Sequence, residues 1–163
     1  MADARFEDGQ ERPLRLIAQD GEDLKVISAL VQDSVLGARD MLYERGKRRF
    51  SVLLNRFRWE DRAQAQVAGR AFERVRAVLD FADVTGVAHQ GLERREVDTI
   101  LSLLSIEFTP ADADDFASPG RVVLTFAGDG AIALDVDCLD VTLADVTRPY
   151  VAPSRRAPEH GPD

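Results

Sequence analysis

The chain is short of most residues that do chemistry by themselves. Its 163 residues include one cysteine, two histidines, one tryptophan and, among 21 basic residues, only two lysines, Lys25 and Lys47. A single cysteine, Cys138, excludes any disulfide framework and any multi-cysteine metal site within one chain. Of the two histidines, His89 lies on a different segment and His160 in the tail, and a lone Cys with a lone His does not make a nucleophilic pair. There is no phosphate-binding loop, GxGxxG, HExxH or GxSxG string. No apolar run approaches the roughly 20 residues of a membrane span. Met1 to Gln10 is acidic and mixed, unlike a secretory leader. The expected setting is the cytoplasm, with no membrane, metal or cofactor.

What remains is an ordinary globular composition, 45% apolar and 31% charged. A chain of this length buries roughly 70% of its unfolded surface, enough for one sizeable core. The formal charge of −8 is uneven. Residues 1–80 carry 15 basic and 14 acidic side chains, whereas residues 81–163 carry 6 and 15, a net of −9. An acidic molecule repels a nucleic-acid backbone at long range, so general nucleic-acid binding is disfavoured.

Hydrophobic spacing predicts one helix and many strands. Leu14, Leu16 and Ala18 form one face of a short strand. Asp20 then reads as a helix cap, with Asp23 three residues on and Leu24, Ile27 and Val31 along one stripe up to about Gln32. From Ala38 the period becomes two. Met41 and Tyr43 lead through a turn, at which Gly46 is expected to take positive φ, into Phe50, Val52 and Leu54. Phe57 and Trp59 have the opposite parity, which predicts a bulge or bend near Asn55-Arg56. Residues 72–92 fit a bent strand with a kink at Gly86 better than a helix, and Glu93 to Asp98 fit a helical turn. Ile100 to Phe108 read as a buried strand, followed by an acidic loop to Gly120. Val122 to Phe126 and Ile132 to Val136 form a hairpin around Gly128-Asp129-Gly130. Leu139 to Leu143 fit either a strand or a helical turn. This is an α+β pattern, mostly antiparallel sheet, in one domain over residues 12–148. A flexible start is expected at 1–11 and a proline-rich disordered tail at 149–163.

Three strings carry a resemblance. They are Leu14-Arg15-Leu16-Ile17-Ala18-Gln19-Asp20, Leu54-Asn55-Arg56-Phe57-Arg58-Trp59-Glu60, and Leu124-Thr125-Phe126-Ala127-Gly128-Asp129-Gly130-Ala131-Ile132. Together they resemble an uncharacterised family typical of alphaproteobacteria, the domain of unknown function numbered twenty-nine forty-eight. The resemblance covers Leu14 to Val146 and implies a single-domain cytoplasmic bacterial protein. It implies no activity and supplies no catalytic residues.

The sharpest local feature is the segment from Arg39 to Arg58, with a net charge of +5 interleaved with Tyr43, Phe50 and Phe57. Its candidate binding surface comprises Arg45, Lys47, Arg48, Arg49, Asn55, Arg56, Arg58 and Trp59. Guanidinium groups suit phosphate or carboxylate, and aromatic rings can stack on bases. The same charges also suit a solvated edge hairpin, where they discourage aggregation. Trp59 suits a core position equally well, with Asn55 closing a bulge. Asp135, Asp137 and Asp140 form a second cluster, more plausible as an outward acidic face than as a cation site. Cys138 shares the parity of Leu134 and Val136 and is expected to be buried. The function this pattern supports first is a non-enzymatic interaction or scaffold domain, with a protein partner or a second copy. The alternatives are an anion or polyanion binder acting through residues 39–58, or an enzyme using Arg56 and Arg58 with Asp135 or Asp137.

Overall fold

The computed structural model describes residues 13–61, 66–67, 73–92, 99–115 and 117–151. Eleven strands join into one antiparallel sheet, accompanied by the α-helix Gly21–Leu30 and by the helical residues 66–67. The strands are β1 (Arg15–Ala18), β2 (Ser34–Gly37), β3 (Met41–Glu44), β4 (Arg49–Phe57), β5 (Glu73–Phe81), β6 (Val84–Gln90), β7 (Ile100–Pro110), β8 (Gly120–Phe126), β9 (Ala131–Val136), β10 (Val141–Asp145) and β11 (Tyr150–Val151). Along the sheet the order is β1, β10, β5, β4, β2, β7, β8, β9, β6, with β3 on the edge of β4 and β11 on that of β5.

Short β2 joins two larger portions, pairing with β7 over four residues and with β4 only at Val35↔Asn55. The sheet rolls as it proceeds. Its far strand returns to the corner where β4 begins: the Val84 amide donates to the Arg48 carbonyl at 2.8 Å and the Tyr43 hydroxyl to the Val84 carbonyl at 3.0 Å. Both portions turn one face inward onto a common core, in which Leu79 and Leu143 of one meet Leu103, Leu124 and Leu134 of the other. Alternation within each strand decides which side chains reach that core.

The helix α1 (Gly21–Leu30) starts where the sequence indicates. The Asp20 carboxylate accepts from the Asp23 amide at 2.8 Å, satisfying a first-turn donor that the helix itself cannot. Leu24 and Ile27 are buried against β1 and β7. Strand β7 shifts register between Leu103 and Ser105. The Ile106 amide then donates to the Ser28 hydroxyl at 2.9 Å, so the helix serves the irregular stretch.

Several expectations change. Strand β4 pairs with β5 from Phe50 to Phe57 without a register shift, so there is no bulge at Asn55-Arg56. Phe50, Val52, Leu54 and Arg56 all face inward, and Phe57 is buried as well at the strand end. Parity misled because the fourth inward residue is an arginine. At the β3–β4 turn, Arg48 and not Gly46 takes positive φ, at 53°. Residues 73–81 and 84–90 are strands joined by Asp83 at φ 56°, with the irregularity falling between Val84 and Gly86. Residues 141–145 are a strand, not a helical turn. Within 149–163, Tyr150 and Val151 pair with Arg74 and Glu73. The expected helical turn at 93–98, the flexible start at 1–11, Phe72 and most of 60–70 lie outside the described residues, as does the tail from 152.

Candidate functional site

Arg56 is fully buried, and its surroundings explain how a guanidinium can be. Register places it on the inner face of β4 opposite Val75, one row from the Leu54–Ala77–Asp145 row that crosses β4, β5 and β10. Its Nε and Nη2 donate to the two oxygens of Asp145, both at 2.9 Å. Its Nη1 and Nη2 donate to Glu60 at 2.9 and 2.8 Å, and Nη1 reaches the Phe57 carbonyl at 3.4 Å. All five N–H groups therefore have acceptors. Glu60 arrives because the 3-10 turn Trp59–Asp61 folds the chain back immediately after β4. Asp145 Oδ2 also accepts from the Leu14 amide at 3.2 Å, which ties the start of β1 to the same centre.

Burial alone would favour loss of the Arg56 proton, but the hydrogen bonds and charges of Glu60 and Asp145 outweigh it and hold the group firmly cationic. Burial likewise pushes the Glu60 carboxyl upward, and the hydrogen bonds and charge of Arg56 overcome it, leaving its pKa below the ordinary value. With every donor occupied and no exposed surface, Arg56 offers an incoming anion nothing. The centre fastens β4, β10 and β1 together, and the expectation of Arg56 on an open binding surface is corrected accordingly.

Its neighbours divide between structural and open positions. Trp59 is half-buried, packs its ring 4.7 Å from Phe57 at 58°, and donates Nε1–H to the Gln32 carbonyl at 2.9 Å. Arg58 pairs with Glu73 at 3.1 Å. Asn55 points to the opposite, outer face, where its Oδ1 is shielded from solvent with no hydrogen-bond partner among the described residues. Arg45, Lys47, Arg48 and Arg49 are exposed at the β3–β4 turn. Lys47 pairs with Glu44 at 3.3 Å and Arg48 with Asp137, whereas Arg45 and Arg49 form no ion pair among the described residues.

The remaining candidates do not converge. Asp135 pairs with Arg121 at 3.0 Å and Asp137 with Arg48, and no group of three or more His, Cys, Asp or Glu able to hold a metal ion occurs among the described residues. Cys138 is half-buried and not a core residue, because β9 ends at Val136 and the chain bends. Its thiol donates to Asp83 at 3.2 Å; that bond, then burial and the nearby carboxylates, push its pKa up, away from nucleophilic thiolate. His89 is exposed on β6 opposite Ile132. An enzyme built on Arg56 with Asp135 or Asp137 has no common pocket, since Arg56 is consumed inside and Asp135 is exposed beside Arg121.

The arrangement that sequence reasoning did not foresee is the outer face of the strands β3, β4, β5, β10 and β1. Register lines up Leu42, Ser51, Asp80, Thr142 and Ile17 in one row. Leu53, Val78, Ala144 and Arg15 form the next, and Val35, Asn55 and Arg76 lie below. Ile17 and Leu42 are 54% and 58% exposed, and Leu53, Val78 and Ala144 are half-buried. The helix α1 sends its buried residues to the inner core and not to this face. Exposed residues alternating with core residues along five strands were its sequence signal.

A family model described as a protein of unknown function, DUF2948, matches residues 14–160. The chain belongs to the DUF2948 family. No curated protein and no solved structure matches it. The DUF2948 match spans β1 through β11, so the Arg56 centre, the β3–β4 turn and the outer face all fall within it. In this DUF2948 chain no described helix is long and apolar enough to cross a membrane.

Proposed function

We propose that this protein is a non-enzymatic interaction domain whose working surface is the outer face of β3, β4, β5, β10 and β1. The observation that carries the reading is the half-buried aliphatic row Leu53–Val78–Ala144, with the exposed Ile17 and Leu42 at the two ends of the neighbouring row, on a sheet whose other face is committed to the core. Contiguous apolar surface rimmed by polar residues marks binding sites more often than it marks chance. The internal saturation of Arg56 supports the reading from the other side, because the strongest charge centre is spent on holding strands. The family resemblance and the single cysteine support a bacterial, cytoplasmic setting. The test is affinity capture with the wild-type chain and with Ile17→Lys/Val78→Lys, followed by rebinding of any captured protein in purified form. A purified partner bound by wild type and lost by the folded variant supports the reading; equal binding by both contradicts it.

A second reading, polyanion binding, draws on one specific observation: Arg39, Arg45 and Arg49 are exposed and have no ion pair among the described residues. Its test is a titration of DNA, RNA and heparin at two salt concentrations, in which log affinity should fall with log salt by about 0.9 per duplex phosphate neutralised.

A further inference from the structure

We infer that the outer face takes an acidic, amphipathic segment of a partner protein, with an apolar stripe flanked by Asp or Glu. This rests on the interaction reading above and adds the chemistry of the partner. Size points to a segment in place of a whole globular surface. Ile17 and Leu42 are four strand intervals apart, roughly 19 Å at about 4.8 Å per interval, and the three rows span roughly 13 Å. That footprint is far below the ~800 Å² per partner of a standard protein–protein interface. It matches about three turns of one helix, near 16 Å long and 10 Å wide.

Charge sets the sign of the flanks. Arg15 stands at one end of the apolar row Leu53–Val78–Ala144, Arg76 lies one row below, Arg74 follows along β5, and Arg49 borders Leu42. None of the four forms an ion pair among the described residues. Of the acids on the same face, Glu44 pairs with Lys47, and Asp80, which accepts from the Ser51 hydroxyl, stands as one negative charge against the four arginines. A molecule with net charge −8 thus carries a locally basic, apolar-centred face. A two-fold pairing of this face with a second copy would set these arginines against one another, which is unfavourable. An acidic flank meets them with forked, charge-assisted hydrogen bonds while its stripe covers Val78 and Leu53.

The experiment uses the full chain with isoleucine, leucine, valine and alanine methyl groups observed by NMR. Three probes are titrated: a helix-forming peptide with a leucine stripe flanked by glutamates, the same stripe flanked by lysines, and polyglutamate. The glutamate-flanked peptide is expected to shift the methyls of Ile17, Leu53, Val78 and Ala144. Its affinity is expected to drop at least tenfold in Arg15→Glu/Arg76→Glu, whose unchanged core methyl spectrum verifies the fold. Equal binding of the lysine-flanked peptide overturns the acidic partner but leaves the face a binding surface. Equal binding of polyglutamate overturns the amphipathic requirement. A second copy occupying the face, seen as a dimer by sedimentation with the same methyls shifted, overturns the inference, and so does the absence of any shift.

Discussion

Arg56 and Asp145 meet through two hydrogen bonds of 2.9 Å, from Nε and Nη2 to the two carboxylate oxygens, although β5 lies between their strands. The side-on fork makes a crosslink that bypasses the sheet ladder. Because Asp145 also accepts from the Leu14 amide, the same carboxylate fastens β1. Removing either partner of a buried pair leaves an uncompensated charge, which costs about 3–5 kcal/mol. Asp145→Ala is therefore expected to destabilise the protein by that amount in urea unfolding. Replacing both members together, Arg56→Met with Asp145→Leu, should recover most of the loss, since no charge is then left unpaired.

Acid should act through Glu60. Its folded pKa lies below the ordinary value of 4.5, so its contribution is complete above the unfolded carboxylate range and is lost as pH falls through the folded value. Stability measured by urea unfolding should decline from about pH 5 downward. Glu60→Gln should be less stable at neutral pH and should show a shallower decline. The effect should be smaller than that of Asp145, because the Glu60 side chain is 34% exposed whereas that of Asp145 is 7% exposed.

Gly120 is required by space. A Cβ there would sit 2.5 Å from the Thr109 carbonyl oxygen and 2.6 Å from the Phe108 ring, and the carbonyl belongs to a paired strand that cannot yield. Gly120→Ala should cost about 1–3 kcal/mol by overpacking. Thermal melting should detect this as a clear drop in midpoint.

The cap at Asp20 is a contained test of the helix. Asp20→Ala removes the acceptor of the Asp23 amide and should cost about 1 kcal/mol. Amide exchange should quicken first in Glu22 to Leu24, with the sheet unaffected.

Much of this fold was legible because the signals were local. The Asp20 cap, the stripe of Leu24 and Ile27, and the hairpin around Gly128 and Asp129 each depend on residues within one turn or one helix. Arg56 was not legible in that way. Its position in the even-numbered buried set of β4 was visible, but its acceptor Asp145 lies 89 residues away and belongs to a strand whose place is fixed only by the rolled sheet. Without that acceptor, parity demanded a bulge that the chain does not form. Glu60, four residues on, was the available clue. The outer face was hidden for a similar reason: Ile17, Val78 and Leu42 come from three separate strands, and only register brings them into adjacent rows.

The interaction account and the polyanion account share only Arg49, so one comparison separates them. Capture and rebinding of a partner would be measured for wild type, for Ile17→Lys/Val78→Lys on the outer face, and for Arg45→Glu/Arg49→Glu at the β3–β4 turn. The account predicts that the purified partner binds wild type, is lost by the outer-face variant, and is retained within about threefold by the turn variant, where only the border arginine of the face is changed. Full retention by the outer-face variant together with loss by the turn variant would contradict it.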